Sequence, residues 1–518
     1  MKKNALEAAV FLCGAVTMAL EMVGSRLLAP YLGTSIYVWT SLIGVILGCL
    51  SLGYWLGGRA SDTHPSARTF AGIIFLAAVF VSLIALFGDP LLAAIQVSVH
   101  DLRVAAVLAT LILFGVPSVL LGMVSPYAVR LKMRAVESAG RTAGSLYALS
   151  TVGSIAGTFL AGFVLISHFG NSAILFFLAA LLAGASLAAS MSASAVRVAV
   201  LILFAGSAAA SDAFGAWLRG PSFLDVNTRY NRVWIYDAYD GSTGAPIKVM
   251  QINDEMSSRM LLRSDDLADD YTRYYRLAGH FKPDLRKALM IGGAAYSYPK
   301  DFLRHYPEGR IDVVEIDPGL TGLAREHFRM KDDPRLRIRH EDARTYLNRT
   351  TETYDAIFGD AFRSYSVPHQ LTTLEVVRRM HDRLSDDGVV ILNLISSIEG
   401  DKGRFLRAEA ATFARVFPRV MLFPAAKPDD GSEVQNVILV ALKSDKKPKF
   451  YSRDTELDGY LHHLWLKKIE NDQPPLTDDF APVERYMLPI MTSLRRDGAN
   501  PVRELWENVG KRFRKEKN

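Results

Sequence analysis

Long unbroken apolar runs fill the first two fifths of the chain, and short alternating ones fill the rest. Runs near 6–24, 38–57, 69–88, 104–125, 144–166, 171–191 and 196–212 are each long enough, as helices, to cross about 30 Å of hydrocarbon. The first reads as a span rather than a cleaved leader, because Glu21 and Arg26 interrupt its end and further spans follow at once. Small residues recur within the runs, at Gly44, Gly48, Gly53, Gly57 and Gly58 and again at Gly153, Gly157 and Gly162. Such spacing lets helix backbones approach closely in lipid. These features predict a polytopic helical membrane domain over 1–212.

From about 222 the period shortens to two. Val233-Trp234-Ile235-Tyr236 and Ile247 to Ile252, separated by Gly241, Gly244 and Pro246, predict a small antiparallel sheet, with a helical stretch near 268–281. Short apolar runs then alternate with helices of roughly ten residues. The predicted strands are 288–291, 311–315, 336–340, 356–358 and 389–394, with 437–441 joining them. That order predicts a Rossmann-like, doubly wound parallel sheet. The expected division is a transmembrane domain at 1–212, a small β subdomain at 222–285, an α/β domain at 286–445 and a helical extension at 446–518.

Charge follows the same division. The first 212 residues carry 18 charged side chains and the remaining 306 carry 94, so a lipid-solvated bundle precedes a water-soluble globule. The net charge of +6 is modest and its residues are interspersed, which argues against nucleic-acid binding. Cys13 and Cys49 fall inside apolar runs, so neither a disulfide framework nor a cysteine metal site is expected. Glu21 is the carboxylate within the spans that stands out as functional, with Arg26 as its alternative ion-pair partner. Gly57 to Asp62 resembles a loop of major facilitator transporters, which keeps a transport reading open.

Ligands of open α/β sheets bind beyond the carboxyl ends of the strands. There the sequence places Gly292-Gly293-Ala294-Ala295, a turn that lets backbone approach a ligand, and three acids, Glu315, Asp342 and Asp360. Glu315 lies 23 residues after Gly292, a spacing suited to a carboxylate accepting from ribose hydroxyls. Asp342 could accept from an adenine amine. An acid after a strand is alone more often a helix cap; several in register predict a nucleoside site.

Residues 225–395 resemble the polyamine aminopropyltransferases, and the whole chain resembles the membrane-fused, spermidine-synthase-like proteins of bacteria. The likeness runs through Tyr230-Asn231, Tyr274-Tyr275 with His280, Gly292-Gly293, Val314 to Asp317, Asp333 to Arg335, Asp342-Ala343, and Asp360 with Leu371 to Thr373. It implies a class I methyltransferase-like fold, Glu315 on the ribose, Asp342-Ala343 on the adenine, Asn231, Tyr274 and Tyr275 along the donor chain, and Asp360 as catalytic carboxylate. The chain departs from the family where an acid gives way to Ala295, where Arg276 and Arg363 replace carboxylates, and where Asn231 stands for glutamine. Two arginines would repel a dicationic acceptor and attract an α-carboxylate.

The resulting expectation is a membrane-bound enzyme that takes S-adenosylmethionine as substrate and cleaves its Cγ–S bond, releasing 5′-methylthioadenosine. It would act as a cyclising lyase or as an aminocarboxypropyl transferase. Two alternatives remain: a true spermidine synthase using the decarboxylated donor and putrescine, and a transporter with a nucleoside-sensing domain. His462-His463 have no acid at ligand spacing, and no metal is expected. The expected partners are the lipid bilayer, the adenosyl substrate and a second copy in a homodimer. Basic loops place the amino terminus inside, so seven spans would put the α/β domain outside, whereas the ligand's supply puts it in the cytoplasm. The count therefore turns on Leu91 to Val99 and on the last run.

Overall fold

The computed structural model describes residues 3–133, 135–190, 195, 223–253, 255–362 and 367–496. The chain divides into two compact units between Arg229 and Tyr230.

The first unit is helical: α1 (Lys3–Leu32), α2 (Ile36–Thr63), α3 (Ala67–Ser98), α4 (Leu102–Lys132), α5 (Ala139–Phe159) and α6 (Asn171–Ala189), followed by a short strand, β1 (Leu224–Asn227). Six helices among the described residues are long and apolar enough to cross a membrane, α5 being extended to His168 through a wider π-type turn at Leu160–Leu165. Caps fix two of the starts. The Asp101 carboxylate accepts from the Arg103 and Val104 amides, and the Ser66 hydroxyl accepts from that of Thr69. The Leu91 to Val99 run is no separate span, because α3 continues through it as far as Ser98. The expected span at 196–212 lies outside the described residues.

Glycine sets the spacing of these helices. A Cβ at Gly53 or Gly57 of α2 would meet backbone of Val119 or Met123 in α4, and one at Gly153 or Gly157 of α5 would meet the carbonyls of Phe11 or Ala15 in α1. Gly44 and Gly48, on the opposite face of α2, have open space instead.

The second unit contains an antiparallel meander, β2 (Arg232–Tyr239), β3 (Pro246–Ile252) and β4 (Glu255–Leu261). A broken helical stretch follows at 270–281, and then a sheet of seven strands. These are β5 (Lys287–Ile291), β6 (Arg310–Val314), β7 (Leu336–Arg339), β8 (Tyr354–Gly359), β9 (Leu384–Ser396), β10 (Arg419–Pro424) and β11 (Gln435–Leu442), in the order β10-β11-β9-β8-β5-β6-β7. From β9 to β7 the strands run parallel, with α7 (Ser297–His305), α8 (Pro318–His327), α9 (Ala343–Arg349) and α10 (Leu374–Asp382) in the crossovers. The sheet is thus the expected Rossmann-like one with an antiparallel edge. β11 pairs antiparallel with both β9 and the unforeseen β10. The short 425–434 connection accounts for this, since a parallel neighbour needs a dozen or more residues to return. Helix α11 (Arg404–Phe413) follows β9, and α12 (Thr455–His462) and α13 (Val483–Arg496) follow the sheet.

Strands β5, β6 and β11 are buried on both faces, which is why they read as short continuous apolar runs. One side of the sheet packs Tyr275, Tyr298, Phe302 and Phe358 against the 270–281 stretch. That packing holds the stretch over the carboxyl end of the sheet.

Candidate active site

A cavity of about 780 Å³ lies across the carboxyl ends of the strands, roofed by β4 and the residues before Tyr274. At its centre β5 ends in Gly292, whose φ of +90° and close approach to Asp360 exclude a side chain; a Cβ there would lie 2.7 Å from the Asp360 carbonyl. Ala294 and Tyr296 also take positive φ, so the turn is strained at residues that do not favour it.

Glu315, just beyond β6, is buried and lines the cavity. Its Oε2 accepts from the amides of Gly293 (2.8 Å) and Ala294 (3.2 Å), and its Oε1 from that of Asp317 (2.9 Å). These bonds fix the carboxylate plane and leave lone pairs for a diol. Asp342, beyond β7, caps α9 by accepting from the Thr345 amide at 2.8 Å. It also lines the cavity with Ala343, so the cap and the site are one residue.

Asp360, beyond β8, is half-buried and open to the same cavity. Asn393 of β9 donates to its Oδ1 at 3.1 Å and the Tyr271 hydroxyl to its Oδ2 at 3.3 Å. Burial pushes its carboxyl up to about 6; hydrogen bonding from Asn393, Tyr271 and Tyr275 opposes that rise and the nearby Asp269 adds to it. The Tyr275 hydroxyl is buried beside Asp360, and burial first and then the Asp360 charge raise its pKa.

Among the described residues the cavity wall holds eight carboxylates and one cation, Arg259. That arginine is already bound by Asp240 (2.6 Å) and Asp269 (2.5 Å), so the surplus of negative charge is large. Such a wall concentrates cationic ligands.

The Spermine/spermidine synthase domain family matches residues 274–445. A polyamine aminopropyltransferase of Vibrio vulnificus is 30% identical over 215 residues, covering 39% of this chain and 70% of that protein. The chain belongs to the polyamine aminopropyltransferase family. A probable polyamine aminopropyl transferase of Bifidobacterium longum is 25% identical over 315 residues, covering 57% of this chain and 70% of that one. A solved structure, of a probable spermidine synthase from Corynebacterium glutamicum, has a TM-score of 0.38 and 27% identity, covering 46% of this chain and 85% of that chain.

Within this aminopropyltransferase-family enzyme, Gly292, Gly293, Glu315, Asp342, Ala343 and Asp360 come together on the cavity. Four other expected residues do not line it. Asn231 is a buried clamp, donating to Asp317 Oδ2 at 2.8 Å and accepting from Asn253 at 2.9 Å. Tyr274 points away, with its hydroxyl 2.6 Å from His463 Nδ1 and its ring against Tyr460. Tyr275 is wholly buried next to Asp360 and does not reach the cavity wall. Ala295 is wholly buried, and its amide donates to the Ser258 hydroxyl at 3.4 Å.

Of the two arginines expected to make a positive wall, Arg276 does not reach the cavity. Arg276 makes a paired contact with Asp301 (3.0 and 2.9 Å) and a third bond to Glu456 (2.8 Å), away from the cavity. Arg363 lies outside the described residues. His280 reaches the Lys449 carbonyl at 2.8 Å.

Sequence reasoning missed Tyr271 and Asn393. Tyr271 sits three positions before Tyr274 in a tyrosine-rich stretch that passes from a short α-helical turn at Asp270–Arg273 to a 3-10 turn at Tyr274–Arg276. Only the fold shows which tyrosine meets the carboxylate. Asn393 lay within a predicted strand as an isolated amide in an apolar run, and a polar residue in a buried strand was the available signal.

Proposed function

We propose that the protein is a membrane-anchored aminopropyltransferase-type enzyme. It holds an adenosyl sulfonium against Glu315 and Asp342 and passes the sulfonium's three-carbon chain to an amine beside Asp360. The amine nitrogen attacks the methylene bonded to sulfur. The C–N bond forms as the C–S bond breaks, the electron pair stays on sulfur, and neutral 5′-methylthioadenosine departs. The proton lost by the amine goes to Asp360. Because the leaving group departs neutral, catalysis consists of alignment and of supplying an unprotonated nucleophile.

The observation that carries this reading is the acid-rich cavity centred on Asp360. It suits a sulfonium donor and a cationic amine better than a carboxylate-bearing one. The family membership points the same way. The six long apolar helices support anchoring in the cytoplasmic membrane, and the cytosolic supply of adenosyl donors supports a catalytic unit on that side.

A second reading keeps S-adenosylmethionine itself as donor. It yields homoserine lactone by attack of the substrate's own carboxylate, or transfers the 3-amino-3-carboxypropyl group. One observation favours it: the turn after β5 brings only Gly292, Gly293 and Ala294 to the cavity wall, with Ala295 behind it, so no acid from the turn grips the donor's ammonium.

Mass-spectrometric product analysis of the full chain in detergent, with either donor and with or without putrescine, separates the readings. The expected result is an aminopropylated amine plus methylthioadenosine, with kcat falling about 10³-fold in Asp360→Asn and the donor KM rising in Glu315→Ala. Methylthioadenosine from S-adenosylmethionine alone, at a higher rate, selects the second reading. No turnover of either donor sinks both.

A further inference from the structure

Asp360 must be ionised to receive a proton from the amine, yet its surroundings favour the neutral acid. A row of amides opposes them. Asn393 donates from Nδ2 to Asp360 Oδ1 at 3.1 Å, and Asn436 donates from its own Nδ2 to Asn393 Oδ1 at 2.9 Å. The strand register builds this row. Asn393 on β9 faces Ile438 of the antiparallel β11, so Asn436, two positions along β11, projects from the same face.

A primary amide can turn either edge to a carboxyl group. A carboxylate only accepts, so it requires the NH₂ edge, whereas the protonated acid can donate to the carbonyl edge. Asn436 decides between them, because its bond to Asn393 Oδ1 holds the carbonyl edge away from Asp360. The groups whose charge or hydroxyl reaches Asp360 are Asp269, Tyr271 and Tyr275, all from the roof segment. From β9 and β11 the described groups facing it are neutral amides.

We infer that Asn436 is a positioning residue that acts through Asn393, locking the amide edge that selects the ionised form of Asp360. Asn436 does not bond to Asp360, and Asp360 Oδ2 stays with Tyr271 on the cavity side. The catalytic consequence rests on the transfer reading; the amide lock itself does not.

The first test needs no ligand. Thermal unfolding of the full chain in detergent is recorded from pH 4 to 8 for wild type, Asp360→Asn, Asn436→Leu and the double variant. With its folded pKa raised, wild type loses stability relative to Asp360→Asn as pH rises from about 4, the unfolded value, and the loss levels off near 6. In the Asn436→Leu background the levelling point moves up by about one pH unit, the size of a lost hydrogen bond to a charged group. If Asn436→Leu gives no cooperative transition, Asn436→Ser and Asn436→Ala read the same point.

The second test is kinetic. With decarboxylated donor and putrescine, kcat/KM at pH 6 falls about fivefold in the variant and recovers by pH 8, in step with the one-unit shift. Binding of methylthioadenosine is unchanged. An unmoved levelling point, or a rate reduced by one factor at every pH, overturns the lock and leaves the transfer reading intact. A moved point with no transfer by wild type does the reverse.

Discussion

In the helical unit helices pack on one another through glycines set against backbone, and the core of the catalytic unit is built from stacked rings. α5 lies on α1 through Gly153 and Gly157, and α2 lies on α4 through Gly53 and Gly57, each glycine against the partner's main chain. The catalytic core instead stacks Tyr298 edge-on to Phe358 at 4.7 Å and Tyr275 against Tyr298 at 4.9 Å. On the membrane-anchored reading, the surrounding medium explains the contrast. In water, burying a large ring removes much apolar surface and is strongly favourable. Between lipid tails that gain vanishes, and helices associate through close van der Waals contact that small residues permit. Different residue classes therefore hold the two units together, and substitutions should distinguish them.

The largest effect is expected at Gly157. Leucine there cannot fit without separating α5 from α1, so Gly157→Leu should remove the folded helical unit, seen as loss of a monodisperse species in detergent. Gly48→Leu, where a side chain meets open space, should unfold like wild type to within about 0.5 kcal/mol. If the two variants behave alike, the backbone-contact account of the bundle is wrong.

Phe358→Ala tests the other side. It empties a fully buried ring site in β8 and should cost about 3–5 kcal/mol. Scanning calorimetry should show the loss in the transition of the catalytic unit while the transition of the helical unit stays put. A shift in both would mean that the two units unfold as one.

The same contrast governs how much could be read from the sequence. Apolar length identified all six described helices, because a lipid-facing helix is apolar all round and needs no partner to be recognised. Short buried runs placed β5 to β9 and β11, and the strand-end rule then pointed to Glu315, Asp342 and Asp360, which share one cavity. What failed was register within irregular backbone. Tyr271 and Tyr274 differ by three positions, which on a regular helix share a face, yet in this broken stretch one reaches Asp360 and the other His463. Arg276 misled for a different reason. Its partners Asp301 and Glu456 are 25 and 180 residues away, and no local pattern announces such a pairing. β10 was missed because an edge strand with a half-exposed start carries a weak apolar signal.

The smallest expected effect is a gain, and it tests whether the catalytic core tolerates charge at all. Glu409 of α11 is wholly buried, and neither carboxylate oxygen has a hydrogen-bond partner. Burial raises its pKa well above the ordinary carboxylate range. Its unfolded value is about 4.3, so above that pH folding must take up a proton. The native state then binds more protons than the unfolded one, and stability falls as pH rises until the folded pKa is passed. Glu409→Gln keeps the shape and removes the titration. It should therefore be close to neutral at pH 4 and more stable than wild type by about 1–3 kcal/mol at pH 8. Denaturant unfolding at the two pH values measures the difference. An equal effect at both would show that Glu409 finds a compensating charge in solution, and that the ring-packed core is less dry than its contacts imply.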